Sequence, residues 1–210
     1  MNGKLIIILT LVSVAMSYSQ TTVNATLLEL NFEPESNPKN LTKSNSTVFF
    51  TANDGINGEE LWKSDGTESG TILVKNINPS SSSNATNFID INGTLFFTAN
   101  DGTNGQELWK SDGTESGTVL VKNINQNSNQ SSIQYYDLQF VIHQDKLYFE
   151  ADDGINGSEL WVSDGTSSGT QLLRDINIGN NSSNITKLTS TSNYVLFSAR
   201  DHINNYNTLW

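Results

Sequence analysis

The sequence predicts an all-β protein, a propeller-like array of about four blades, each a four-stranded antiparallel sheet. Three observations predict it. A stretch of 31 residues recurs along the chain. Its short apolar runs are separated by Asn-Gly and Asp-Gly turns, and no window carries the 3.6-residue apolar period of an amphipathic helix.

The recurrence is close. Residues Val48–Asn78 read VFFTANDGINGEELWKSDGTESGTILVKNIN and residues Leu95–Asn125 read LFFTANDGTNGQELWKSDGTESGTVLVKNIN, with four of 31 positions different. A third copy, Leu147–Asn177, reads LYFEADDGINGSELWVSDGTSSGTQLLRDIN, and a fourth runs from Val195 to Trp210 as VLFSARDHINNYNTLW. The marker tryptophans Trp62, Trp109, Trp161 and Trp210 are spaced 47, 52 and 49 residues apart. Such a period belongs to architectures in which each unit buries its faces against its neighbours. The units fall at about 26–78, 79–125, 126–177 and 178–210, the last incomplete, within a repeat domain spanning 20–210.

One unit shows how the strands follow from the residues. Asn87–Ile91 is a short β run, and Asn92-Gly93 is a strong two-residue hairpin signal. Thr94–Ala99 is the second strand, Asp101–Gly105 is turn chemistry, Glu107–Lys110 is the third strand, and Thr118–Ile124 the fourth. Bulky neighbours such as Phe96-Phe97 predict burial on both faces, as in a sheet lying between two like sheets. Four strands in 40–50 residues is the length of a propeller blade. The segment Thr26–Phe32 aligns with the fourth strand Thr71–Ile77. It would complete the last blade and close a four-bladed ring; the alternatives are an array continuing past Trp210 and an all-β stack of another kind.

Composition narrows the function. The chain has 210 residues, 11 Lys and Arg against 22 Asp and Glu, a net charge of −11 and no Cys. This balance argues against nucleic acid and anionic membranes as partners, because both require a basic footprint. Without Cys there is no disulfide, thiolate metal site or thiol nucleophile. Residues 1–19 read as a secretory signal peptide, with Lys4 ahead of an apolar run from Leu5 to Met16 and small residues before Gln20. That run is shorter than the roughly 20 residues a membrane-spanning helix needs. Its removal takes Lys4 with it and leaves a net charge of −12, and no later segment is apolar enough to span a membrane. A secreted, extracellular or cell-surface location follows.

The repeated residues resemble the ELWxxDGT repeat family. The signature stands here as Glu60–Thr67, Glu107–Thr114 and Glu159–Thr166, and the resemblance covers roughly residues 26–210. It implies a secreted or surface protein of propeller-like fold and implies no activity. The fourth unit departs from it, with Thr208 in place of the Glu and Asp201-His202 in place of Asp-Gly. The Ser-Asp-Gly-Thr stretch is also similar to the turn between the third and fourth strands of sialidase-type blades.

Each recurring residue has a structural and a functional reading. Trp62, Trp109 and Trp161 are expected to fill space between blades, with sugar stacking as the alternative. Asp65, Asp112 and Asp164 are expected to accept backbone N–H groups within their turns. The loops that begin at Asn53, Asn100 and Asp152 place Asp54, Asp101 and Asp153 six residues before Glu60, Glu107 and Glu159. Oxygen ligands around two glycines make these six a candidate calcium set, though the spacing is not that of the familiar calcium loop, and a glycine-rich turn is the simpler reading. No other cofactor is expected. His143, His202, Arg174 and Arg200 do not form a repeated catalytic set, and Arg174 occupies the position of Lys75 and Lys122. The Ser/Asn-rich segments Pro79–Asn84, Gln126–Ser132 and Gly179–Asn184 read as solvated loops on one rim. The expected function is a non-catalytic binding or adhesion module with extracellular polysaccharide or protein as partner. A glycan hydrolase of propeller fold and a purely structural segment of a larger surface protein are the alternatives.

Overall fold

The structure is a computed structural model that describes residues 36–127, 130–133, 140–203 and 206–210. Residues 1–19, read as a signal peptide, and the segment 26–32 lie outside the described residues. Among those described there are fifteen strands and no helix. The first sheet holds β1 (Lys39–Ser44), β2 (Thr47–Asn53), β3 (Glu59–Ser64) and β4 (Ile72–Lys75). The second holds β5 (Thr86–Ile91), β6 (Thr94–Asn100), β7 (Gln106–Ser111) and β8 (Val119–Lys122). The third holds β9 (Val141–His143), β10 (Lys146–Asp152), β11 (Ser158–Ser163) and β12 (Gln171–Arg174). The fourth holds β13 (Thr186–Ser190), β14 (Val195–Arg200) and β15 (Asn207–Leu209). Within every sheet the strands pair antiparallel in chain order. The all-β, blade-like architecture expected from the repeat is the one found.

Turn chemistry sets the ladders. Asn92 and Gly93 both adopt positive φ, 52° and 85°, so the turn twists with its strands. Gln144 and Asp145, at 50° and 59°, do the same between β9 and β10 without a glycine. The first strands of three blades carry a bulge at one repeated position, with Asn40, Asn87 and Lys187 at φ of 57°, 58° and 57°. Asn tolerates this left-handed backbone well. Its side chain also reaches the next blade, for Asn40 Nδ2 donates to the carbonyl of Ala85 at 3.1 Å.

Adjacent strand residues point to opposite faces, which explains the paired aromatics. Phe49 and Phe50 of β2 are both buried, one on each side of the sheet. On one side Phe49, Leu61, Val74 and Ile77 form an apolar layer with Ala85, Leu95, Phe97, Ala99 and Trp109 of the second blade. The same positions recur at the next junction, where Phe96, Leu108, Val121 and Ile124 meet Ile133, Leu147, Phe149, Ala151 and Trp161. At the third junction Leu160 and Ile176 meet Leu188, Phe197 and Ala199, with Trp210 packed against them. The outer face of the fourth blade has no such cover among the described residues. Leu209 is 78% exposed, whereas its equivalents Leu61 and Leu108 are at 0%.

Equivalent leucines therefore differ in energetic weight. Leu108→Ala is expected to lower the unfolding free energy by about 2–5 kcal/mol, since it opens a cavity between two sheets. Leu209→Ala is expected to lower it by about 0.5 kcal/mol or less, as for an exposed site. Urea titration of the two variants checks the contrast.

Candidate functional site

The glutamate of each Glu-Leu-Trp strand points into the protein. Glu60, Glu107 and Glu159 are fully buried. Glu60 accepts the backbone N–H groups of Ile77 at 2.9 Å, Asn78 at 3.3 Å and Ser83 at 3.0 Å. Glu107 accepts those of Ile124 and Asn125, at 3.1 and 3.3 Å, and a short hydrogen bond from the hydroxyl of Ser132. Glu159 accepts those of Ile176 and Asn177, at 3.0 and 3.2 Å. Each carboxyl thus ties its third strand to the backbone that leaves the fourth strand for the next blade. Burial outweighs these hydrogen bonds and pushes Glu60 and Glu107 up to about 7, and raises Glu159 as well. Glu150, where the first two blades have Thr51 and Thr98, is pushed up to about 7 by burial and by the neighbouring Glu159.

The loop aspartates serve a different purpose. Asp54 Oδ1 accepts the N–H groups of Ile56 and Asn57 at 2.9 and 2.7 Å, and Oδ2 accepts from Asn57 Nδ2 at 2.6 Å. Asp101 and Asp153 repeat this set of three. Partial burial pulls these carboxyls upward, but the loop N–H groups win and hold all three below the usual range. Asp54 is turned into its own loop while Glu60 is turned into the interblade linker, and the same division holds for Asp101 with Glu107 and Asp153 with Glu159. Among the described residues no three His, Cys, Asp or Glu side chains gather as a metal site.

The Asp-Gly-Thr turns are sites where neighbouring blades dock. Asp65 Oδ1 accepts from the hydroxyl and the N–H of Thr67, at 2.7 and 2.9 Å, and these bonds lower its pKa. Asp112 and Asp164 match it. The glycine five residues on packs against this carboxylate: a Cβ on Gly117 would lie 2.1 Å from Asp112 Oδ1, so a side chain there would displace the carboxylate. Lysines reach these turns from the preceding blade. Lys63 Nζ donates to the Gly113 carbonyl and Lys110 Nζ to the Gly165 carbonyl, both at 2.8 Å. Lys75 and Lys122 donate to the carbonyls of Thr118 and Thr170, at 2.9 and 2.7 Å. Lys122 also lies 5.8 Å from the Trp161 ring centre, and Arg174 stands 5.2 Å from that of Trp210. The tryptophans Trp62, Trp109 and Trp161 are buried, Trp109 and Trp161 at blade junctions, with little ring surface left for a ligand.

Two clefts open between a linker and the loop of the next blade. One, of about 310 Å³ between the second and third blades, is lined by Lys122, Gln126, Asn127, Asp153, Ile155 and the edge of Trp161, with Ile124. The other, of about 340 Å³ between the third and fourth, is lined by Asn177, Asn181, Ser182, Arg200, Asp201, His202 and Ile203. The linkers are less solvated than their composition suggests. Ser83, Ser132 and Ser183, at or near their C-terminal ends, are fully buried. The reason is pairing: Ser83 and Ser183 N–H groups donate to the Glu59 and Ser158 carbonyls of the previous blade, both at 3.0 Å. His143, in β9, contacts the hydroxyl of Ser190 on the surface, at 3.1 Å, far along the chain from His202.

No family model matches the sequence, and no curated protein matches it. Solved structures similar to it include the crystal structure of puromycin hydrolase, at TM-score 0.48 and 10% identity, covering 83% of this chain and 27% of that one. A mutant of the same hydrolase in a complex gives 0.49 and 10%, covering 86% and 28%. An alpha-L-arabinofuranosidase from Clostridium thermocellum gives 0.30 and 18%, covering 77% and 59%. The chain thus spans little more than a quarter of the hydrolase's length, and the assignment of blades rests on the sheets themselves.

The two classes of carboxyl predict an acid-shifted stability optimum. Glu60 and Glu107 rise from 4.5 to about 7 on folding, so the stability they add is complete below about 4.5 and is lost as pH rises through about 7. The loop aspartates are lowered from 3.8, so theirs is complete above that value and is lost as pH falls through the lowered pKa. The urea midpoint is expected to be higher near pH 5 than near pH 8, and to fall again below about pH 3. A midpoint that rises from pH 5 to pH 8 would contradict the burial of the glutamates.

Proposed function

We propose that the protein is a secreted or cell-surface binding module, non-catalytic, whose partners are extracellular polysaccharide or protein, and that it belongs with the ELWxxDGT repeat proteins it resembles. The supporting observation is the use of the repeat carboxylates. Asp54 and Glu60, with their counterparts in the next two blades, spend both oxygens on N–H or hydroxyl donors of the scaffold, and Asp65, Asp112 and Asp164 each spend one. Chemistry by paired carboxylates needs groups held apart for substrate and water. What varies from blade to blade is the linker, in sequence and length, and linker residues line both clefts. A rigid scaffold with variable rim segments is the usual arrangement of a binding surface.

The same reading assigns no structural cation to Asp54, Glu60 or their equivalents, since N–H groups already meet these carboxylates. The melting midpoint is expected to be the same in millimolar calcium and in chelator.

Glu150 is the observation that favours a glycan hydrolase instead. It is a carboxyl found once, beside Glu159, with its pKa pushed up to about 7. The experiment that separates the readings presents the full chain to immobilised neutral and acidic polysaccharides and assays both retention and reducing-end release. Retention without release is expected. Release that Glu150→Gln abolishes would establish the hydrolase and overturn the proposal.

A further inference from the structure

The hairpin tip of the second blade differs chemically from its neighbours. In the first three blades the turn between the first two strands is Asn45-Ser46, Asn92-Gly93 and Gln144-Asp145. Asn45, Asn92 and Gln144 share one backbone conformation, with φ of 53°, 52° and 50°. The turn therefore forms with or without an Asn-Gly pair. The second blade alone also sets a carboxylate beneath it. Asp90 Oδ2 accepts the Gly93 N–H at 3.2 Å, while Asp90 Oδ1 is buried and accepts no hydrogen bond. The strand register gives Asp90 the counterparts Lys43 and Ile142, neither of which is a carboxylate. Asn92 itself is exposed, and its Nδ2 donates to Asp145 Oδ1 on the tip of the third blade, at 2.9 Å.

The other Asn-Gly pairs among the described residues are Asn57-Gly58, Asn104-Gly105 and Asn156-Gly157, and each asparagine is locked into its loop. The N–H and Nδ2 of Asn57 donate to Asp54 at 2.7 and 2.6 Å, and its Oδ1 accepts from Asn76 Nδ2 at 2.8 Å. Asn104 is held the same way by Asp101 and Asn123. Asn156 makes the two bonds to Asp153, both at 2.8 Å. The glycines of these pairs lie under the linkers, where a Cβ on Gly58, Gly105 or Gly157 would come within 3.0, 2.6 or 2.7 Å of Ser82, Gln130 or Asn181. Turning any of these three amides toward the following nitrogen breaks the loop that holds it. Turning the Asn92 amide breaks one surface contact.

We propose that Asn92-Gly93 is a self-modification site, at which the Gly93 nitrogen attacks the Asn92 side-chain carbonyl and the residue becomes aspartate or isoaspartate. The bond from the Gly93 nitrogen to Cγ forms and the Cγ–Nδ2 bond breaks. The amide leaves as ammonia, carrying the proton that the Gly93 nitrogen gives up. Asp90, already the acceptor of that N–H, is the base that relays the proton. Water then opens the cyclic imide at either of its carbonyls, so one water enters for each ammonia lost and no oxidant or cofactor is needed. Glycine in the second place leaves the attacking nitrogen unshielded by a side chain. Nucleophile and carbonyl belong to adjacent residues, so their encounter costs little entropy. The product sets a carboxylate where an amide donated to Asp145, and attraction between the second and third tips becomes repulsion.

The test incubates the full chain for weeks at neutral pH and physiological temperature. Amide loss is followed by intact mass and peptide mapping, and isoaspartate is counted with a methyltransferase specific for it. In the folded protein Asn92 is expected to convert about tenfold or more faster than Asn57, Asn104 or Asn156, whose loops forbid the approach. Asp90→Asn keeps an acceptor for the Gly93 N–H but removes the base, and is expected to slow conversion about tenfold or more. In concentrated urea all four pairs are expected to convert at similar rates, and the effect of Asp90→Asn to vanish. The inference is overturned if Asn92 stays intact in the folded protein, if it converts no faster than the other three, or if Asp90→Asn leaves its rate unchanged. It is equally overturned if the preference for Asn92 persists in urea, since the neighbouring sequence alone would then set it.

Discussion

Each junction between blades is built from an apolar layer sealed by one buried carboxyl. Leu61, Val74 and Ile77 supply one side of the first layer, Phe97 and Trp109 the other, and Glu60 fixes the linker that joins them. A blade has two apolar faces and cannot bury either alone. The glutamate solves a second problem, because the linker leaves the fourth strand with N–H groups that no ladder can satisfy. Satisfying Ile77, Asn78 and Ser83 from one side chain lets the backbone turn from blade to blade inside the protein. The lysines that reach the next blade's Asp-Gly-Thr turn close the junction from the outside.

Much of this was legible in the residues. The period, the Asn92-Gly93 hairpin and the Phe96-Phe97 pair set strand number, turn type and two-faced burial, because side-chain alternation and positive-φ turns are local rules. The Asp65 turn was legible for the same reason. The role of Glu60 was not, since its partners Ile77, Asn78 and Ser83 lie 17 to 23 residues away and meet it only once two strands have paired. Asp54 and Glu60 are close in sequence, but Asp54 accepts from its own loop whereas Glu60, on β3, accepts from the linker. The burial of Ser83 and Ser183 was hidden similarly, because a Ser/Asn-rich composition says nothing about pairing with the previous blade.

The acidic composition takes on a different meaning in three dimensions. Of the carboxyls, the repeat glutamates are buried and the loop aspartates are engaged by their own turns. These groups are spent on the scaffold. Glu150 in the third blade and Arg200 with His202 in the fourth depart from the repeat.

The central claim is that successive blades are held by direct packing of one sheet on the next. The most direct measurement is a double-mutant cycle between Leu61→Ala in the first blade and Phe97→Leu in the second, both members of one apolar layer. Packing across the junction predicts non-additive losses of stability, with a coupling of about 1 kcal/mol or more. Losses that add to within about 0.3–0.5 kcal/mol would mean the two sheets do not share a core, and would contradict the account.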